Sequence, residues 1–519
     1  MAWFSPASLL VPDMIALNAA HRPGRAAVID GERSCNWAEF AAGTGALGNA
    51  LRSAGLRKGD RVVVLMQNSF EMVEAMFGVL CAGMVAVPLN VSITDDAVAA
   101  MIANSRARAL IASDPHLDRV DQIREQIESQ IETRFLAPDA ARPGWLDYVA
   151  FRDSGRGAAA PVDIAPGDEC NIIYSSGTTG LPKGIVHDHY CRAAWASEMA
   201  MSLRYHSAAR TLCSLGLFSN ISWVAMLATI AVGGTIVLQR RFSVTEWFEI
   251  VSRERITHTA MVPLQFQKIL DGLEQNTQDL SSLDAYMCCG SPLASATKRA
   301  IRDRLPGQFI ELYGLTEGLV TILDPEDLEH KTESVGLPCP GQSIAIVDDD
   351  GVQLETGGVG EIVGLSRFIM AGYLDNDAAN EAATWQHPSG QRWLRTGDIG
   401  RLDDEGYLYL VDRKKDMIIS GGQNIYPADI EEVLLRHDAV RELAVIGVNS
   451  RKWGETPLAV VVLADNEEID ADALTAWANQ HLGKQQRIAA TVFVDELPRN
   501  PNGKVLKREL RDRFADVVF

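Results

Sequence analysis

The residues best able to do chemistry stand in one run, Tyr174-Ser175-Ser176-Gly177-Thr178-Thr179-Gly180-Leu181-Pro182-Lys183-Gly184. Gly177 and Gly180 let backbone amides turn inward without a Cβ clash. The hydroxyls of Ser175, Ser176, Thr178 and Thr179, with the Lys183 ammonium, supply donors around an anion, which suits a polyphosphate in a nest of N–H groups. The run is not a Walker loop, because no Lys-Ser or Lys-Thr follows a second glycine. A flexible Ser/Gly linker would rarely carry Pro-Lys-Gly directly before another strand. A second group, Glu311-Leu312-Tyr313-Gly314-Leu315-Thr316-Glu317, follows the apolar strand end Phe309-Ile310. A tyrosine there can stack on a base, and Thr316 and Glu317 can reach phosphate oxygens and a divalent cation; a plain turn explains the same residues equally well. A third, Arg395-Thr396-Gly397-Asp398 with Arg413, could hold ribose hydroxyls or be only a turn. The fourth is Lys504 on the loop Pro501-Asn502-Gly503-Lys504, and a loop lysine taken alone is usually solvated.

Strands alternating with helices must position these groups. Strands are expected at Arg61–Met66, Met84–Val87 and Ala109–Ala112, and helices at Glu71–Ala82 and Asp95–Asn104. That alternation predicts parallel sheets covered on both faces, and it resumes from Asn171 to Glu311. Gly157–Pro166 reads as a linker between two such α/β units. Beyond Ser334, turn signals at Asp349-Asp350-Gly351 and Asp403-Asp404-Glu405-Gly406 punctuate short strands and predict a β-rich subdomain. After the charged segment Asp412–Asp416 comes a compact α+β unit, with helices near Ala428–Arg436 and Ala471–His481 and strands near Leu443–Val448 and Leu458–Leu463. The expected architecture is α/β: a large domain over 1–413 and a small, mobile lid over 414–519.

Composition narrows the function classes. The 519 residues carry a formal charge of −20, which argues against nucleic-acid binding. The eight cysteines contain no C-x-x-C pair, so zinc ribbons and thioredoxin-like chemistry lack support. Thr211–Gln239 has no charged residue, but its polar residues and Gly233-Gly234 favour strand, loop, buried helix and strand over a membrane span. The first residues lack a basic secretory n-region, so a cytoplasmic location is expected.

Together and in this order, the four motifs resemble those of the adenylate-forming enzyme superfamily, which includes acyl- and aryl-CoA ligases, adenylation domains of peptide synthetases and beetle luciferases. The resemblance runs from about Pro23 to Leu510. It implies that Ser175, Ser176, Gly177, Thr178, Thr179, Gly180 and Lys183 hold the β- and γ-phosphates of ATP. Tyr313 would stack on adenine, Glu311 would accept from its amine, and Gly290, Ser291, Pro292 and Gly314 would complete the site. Thr316 would contact the α-phosphate, Glu317 would help bind Mg²⁺, and Asp398 and Arg413 would hold the ribose. Lys504 would bridge the substrate carboxylate and the α-phosphate. Lys415 would be the hinge of the lid, and Gly421-Gly422 would line the path of the CoA pantetheine arm. An acid with a pKa near about 4 is already ionised at neutral pH, so no general base is required, and no catalytic triad is visible. His187 and His189 are expected to be structural.

The resemblance places the acid pocket at Phe218, Ser219, Asn220, Trp223, Met226, Cys288, Cys289, Gly314 and Leu319. Ser219 stands where many relatives carry an aromatic or histidine gate. It also stands where amino-acid-activating relatives carry an Asp, and a buried unpaired ammonium would be costly. No Lys or Arg appears among these residues, so the expected substrate is an apolar fatty, alicyclic or aryl monocarboxylate. The chain ends soon after Lys504, which leaves no carrier-protein domain. The expected thiol acceptor is therefore external, with CoA leading and a separate acyl-carrier protein as the alternative. A non-catalytic nucleotide-binding relative and a kinase-like phosphotransferase are further alternatives, and the homodimeric state stays open.

Overall fold

The computed structural model describes residues 9–519 except 114–115, 128–130, 132, 138–144, 158–161, 176–182, 421–422, 465–466, 485 and 500–502. The chain divides into two compact units, one built mainly from residues 1–332 with 338–342 and 365–382, the other from 333–337, 343–364 and 383–519.

Two sheets organise the first unit. In one, the strands run in the order Gly372–Tyr373, Lys183–Asp188, Glu169–Ser175, Val85–Pro88, Arg61–Leu65, Ala109–Ser113, Thr133–Ala137 and Leu146–Asp147. In the other, the order includes Val320–Leu323, Gln308–Gly314, Ala285–Cys288, His258–Met261, Arg210–Cys213, Thr235–Leu238, Ala26–Asp30 and Arg33–Asn36. The inner strands are parallel, as the alternating pattern predicts. The phosphate-loop motif departs from that pattern. Its flanking strands β1 (Glu169–Ser175) and β2 (Lys183–Asp188) pair antiparallel, with Ser175 opposite Lys183. Seven residues separate the two strands in the sequence, fewer than the dozen or more that a parallel crossover needs.

The helices Trp37–Ser53, Phe70–Cys81, α1 (His189–Ser202) and α2 (Asn220–Val232) share one apolar core with both sheets. Each begins where a side chain answers free backbone N–H groups. Asn36 and Glu39 form a capping box, the Asp188 carboxylate accepts from Cys191 N at 2.7 Å, and Ser219 Oγ accepts from Ile221 N at 3.3 Å. The charge-free stretch folds as expected, with strand Arg210–Cys213, helix α2 and strand Thr235–Leu238. Among the described residues, no helix is long and apolar enough to cross a membrane.

The second unit holds two small sheets. The β-rich segment pairs strands Ser343–Val347, Gly360–Leu365, Thr384–Gln386, the long strand Arg392–Leu402 and Leu408–Arg413. The C-terminal part pairs Ile418–Ser420, Gln423–Ile425, Val440–Ser450, Gly454–Leu463 and Ala490–Phe493. Its helices run from Pro427 to Leu434 and from Ala471 to His481, close to the spans expected from periodicity.

Candidate functional site

In the first unit, the end of the phosphate loop meets the Tyr-Gly-Leu-Thr-Glu motif. Strand β3 (Gln308–Gly314) turns back into β4 (Val320–Leu323), which puts Thr316 and Glu317 in the connecting turn. Gly318 closes that turn with φ of 116°, and a Cβ there would run into the Phe368 carbonyl. Tyr373 then links the motifs. Its hydroxyl donates to Glu317 Oε1 at 2.9 Å, and the Lys183 ammonium lies 4.9 Å from its ring centroid. Lys183 and Tyr373 line a cavity of about 340 Å³ with Tyr174, Gly184 and Asp375. His187, on β2, shares a 2.8 Å hydrogen bond with the carbonyl of Thr316. Burial and the nearby Arg192 charge hold the His187 pKa well below the usual value, so it is neutral. His187 and His189 are both fully buried, in keeping with structural roles.

Other predicted residues of this unit find their own settings. Glu311 is buried in an ion pair with Lys298, and burial raises its carboxyl to about 7. Lys298 Nζ also donates to Thr332 O at 2.7 Å. Tyr313 is half-buried at the carboxyl end of β3. Gly290 and Pro292 are exposed, and Ser291 is half-buried beside them. Gly314 is exposed where β3 ends. Ser176, Gly177, Thr178, Thr179 and Gly180 lie outside the described residues, so of the phosphate-loop residues only Ser175 and Lys183 are placed.

Among the residues expected to line the acid pocket, Phe218 and Asn220 are half-buried, whereas Ser219, Trp223, Cys289 and Leu319 are buried. Ser219 is the N-cap of α2, a role that requires no gating function. Trp223 packs its ring 5.8 Å from that of Phe77. Burial pushes the Cys289 thiol up to about 12, so it is a packing residue rather than a nucleophile. One neighbour was missed in the sequence. Arg192 of α1 donates to Asn220 Oδ1 at 2.9 Å, although 28 positions separate the two residues. Its signal was a lone arginine in the apolar helical run Cys191–Ala196.

The second unit gathers the remaining motifs. Strands β5 (Arg392–Leu402) and β6 (Leu408–Arg413) set Asp398 directly opposite Arg413, and the two form an ion pair at 3.2 Å. Lys504 lies in the same electrostatic cluster, although more than a hundred residues follow Asp398 before it. Its pKa is lowered to about 7, first by burial and then by the Arg413 charge, with Asp398 pulling the other way. The charged segment between the two small sheets is tied down residue by residue. Asp412 accepts from Ala428 N at 3.1 Å, Lys414 pairs with Glu361 at 3.3 Å, and Asp416 pairs with Arg511 at 2.8 Å. Lys415 is exposed and, among the described residues, forms no side-chain hydrogen bond or ion pair. Gly421 and Gly422 lie outside the described residues.

Comparison with known proteins shows the family of the chain. The model of the AMP-binding enzyme family matches residues 15–374, and that of the AMP-binding enzyme C-terminal domain matches residues 429–504. The chain is 33% identical to the long-chain-fatty-acid–CoA ligase FadD13 of Mycobacterium tuberculosis over 486 residues, covering 91% of each chain. It is 33% identical to the indoleacetate–CoA ligase of Aromatoleum aromaticum over 519 residues, covering 98% of each. Among solved structures, the o-succinylbenzoate CoA synthetase of Bacillus subtilis bound to its acyl-adenylate intermediate superposes with a TM-score of 0.83 and 30% identity, over 96% of this chain and 98% of that one. The chain belongs to the AMP-binding, adenylate-forming enzyme family.

Proposed function

We propose that the protein is an AMP-forming acid–CoA ligase. It activates an apolar fatty, alicyclic or aryl monocarboxylic acid as acyl-AMP, releases pyrophosphate and passes the acyl group to the thiol of CoA. The observation that carries the reading is the meeting of Lys504 with Asp398 and Arg413 in one charged cluster. The relatives, which match along nearly their whole length and are named as CoA ligases of fatty and aryl acids, support it.

The chemical problem is repulsion between a carboxylate and a triphosphate. The Lys504 ammonium, when charged, stabilises both the attacking carboxylate and the charge developing on the α-phosphate. Asp398 and Arg413 orient the ribose, Tyr313 stacks on the base, and Thr316 steers the α-phosphate. His187 holds the backbone of Thr316 in place for that task. Glu317 fits a divalent cation, because its carboxylate is oriented by Tyr373 and makes no ion pair among the described residues. Mg²⁺ bound there would supply charge neutralisation on the phosphates.

Residues 414–519 act as the lid, and Lys415 is the hinge, since it alone in its segment lacks a side-chain anchor. In the second half-reaction the lid brings Gly421 and Gly422 to the pantetheine arm. The location we propose is cytoplasmic, and a homodimer is compatible with this scheme.

Mass spectrometry tests the reading: purified protein, ATP, Mg²⁺ and a mixed pool of acids, with and without CoA. Acyl-CoA, AMP and pyrophosphate are the expected products. Acyl-adenylate accumulating beside unused CoA would move the acceptor to a carrier protein. ADP as the nucleotide product would replace the ligase with a phosphotransferase, and no turnover would leave a nucleotide-binding relative.

A further inference from the structure

Arg192 is fully buried, and every hydrogen-bond acceptor it meets among the described residues is neutral. Its Nε donates to Asn171 Oδ1 at 2.7 Å, one terminal nitrogen donates to Asn220 Oδ1 at 2.9 Å, and the other donates to His187 Nδ1 at 3.1 Å. The guanidinium carbon lies 5.2 Å from the Trp223 ring centroid. Buried cations are normally paired with carboxylates, and among the described residues this one is not. Its surroundings are also rich in spare donors. Asn171 Nδ2 and Trp223 Nε1 are both buried and without a hydrogen-bond partner among the described residues. In this neighbourhood donors exceed acceptors.

Asn220, which the resemblance assigns to the acid pocket, carries that excess to a half-buried position. Its Oδ1 is occupied by Arg192, which fixes the amide with Nδ2 pointing away as a donor. Nδ2 makes no hydrogen bond among the described residues, and the side chain is only half-buried. A guanidinium that holds one end of an amide polarises the other end, which strengthens it as a donor. We propose that the Arg192–Asn220 pair selects an acid whose acyl body carries an oxo group, with the carbonyl oxygen accepting from Asn220 Nδ2. A second carboxylate fits less well, because the fully buried guanidinium is turned to Asn171, Asn220 and His187 and leaves the acid only the neutral Asn220 amide as a donor. Arg192 acts here as a positioning residue, since its contact with the substrate is through Asn220. The inference rests on the ligase reading and deepens it by naming a substrate class.

The test is acid-dependent ATP–pyrophosphate exchange with matched acids in straight-chain, cyclohexane and aryl series. Each series contains the plain acid, its oxo derivative and the corresponding dicarboxylate. In at least one series the oxo acid is expected to exceed the plain acid in kcat/KM by about 10-fold or more, since a site built to hydrogen-bond a group discriminates against analogues that lack it. Asn220→Leu should bring that ratio close to one. Arg192→Met should also lower it, and Arg192→Lys, which keeps a cation but not the planar fork, should fall between. A purely structural role would depress all acids alike and leave the ratio unchanged. If Arg192→Met does not fold, the lysine and Asn220 variants carry the test. Equal use of plain and oxo acids by the unaltered protein would overturn the inference while leaving the ligase reading standing, as would preference for a dicarboxylate or an unchanged ratio in Asn220→Leu. Exchange with no acid of any series would overturn the ligase reading itself.

Discussion

The two units each hold a cation away from bulk water, and they treat it in opposite ways. Arg192 is enclosed in the core of the first unit by Asn171, Asn220 and His187, all neutral. Burial pushes its pKa down only to about 10, so it remains charged at neutral pH. Lys504 in the second unit lies beside Arg413 and Lys415 as well as Asp398 and Asp416, and its pKa falls to about 7. An arginine keeps its proton through such burial, whereas a lysine readily gives its proton up. Arg192 is therefore a fixed charge that can orient an amide. Lys504 is a charge that burial brings close to titration at neutral pH.

The largest expected effect separates the two half-reactions. Lys504→Ala should slow adenylation by about 10²–10³-fold, the cost of losing one stabiliser of transition-state charge. It should spare thioester formation from a supplied acyl-adenylate, measured by rapid quench. Loss of both steps to the same degree would remove the special role given to this cation. Gly422→Leu should do the reverse and slow CoA attack by about 100-fold, since a side chain in the thiol's path misplaces the reacting atoms. Pyrophosphate release on the first turnover should persist, and full thioester formation would show that the tunnel lies elsewhere.

The pH profile probes the contrast directly. The charged form of Lys504 predominates below its pKa, so adenylation kcat/KM should fall about tenfold per pH unit above about 7. Asp398→Asn removes an attraction that raises this pKa, so the fall should begin at lower pH. A flat profile from pH 6 to 9 would mean that Lys504 does not titrate there. A smaller effect is expected at the fixed end of the molecule. Tyr373→Phe deletes one hydrogen bond to Glu317, worth about 1 kcal/mol, and should raise the Mg²⁺ requirement for exchange by roughly fivefold. The smallest belongs to a cation with no burial at stake. Arg436, in the turn after helix Pro427–Leu434, pairs with the exposed Glu432, and Arg436→Ala should change unfolding free energy by less than about 0.5 kcal/mol in denaturant melts.

Much of this was legible along the chain. The strands near Arg61, Val85 and Ala109 and the helices Asp95–Ser105 and Ala471–His481 follow from apolar runs bounded by caps. Helix Phe70–Cys81 was legible too, although it is buried on nearly every side and has little amphipathic contrast. The antiparallel pairing of β1 with β2 was not, because a parallel and an antiparallel strand present the same buried run of residues. Nor was the buried cation beside Asn220. Arg192 reads as one charge on an ordinary helix until α1 packs against α2 and sets it against Asn220.

Residue types and spacing alone determined the family motifs, their order and the chemistry they offer, because donor number, charge and glycine freedom are properties of the residues themselves. The tertiary structure alone decided which charges survive at neutral pH and what each one faces. What each charge faces comes from parts of the chain that are remote in sequence: Asp398 lies near Lys504, Asn220 accepts from Arg192 and Tyr373 donates to Glu317.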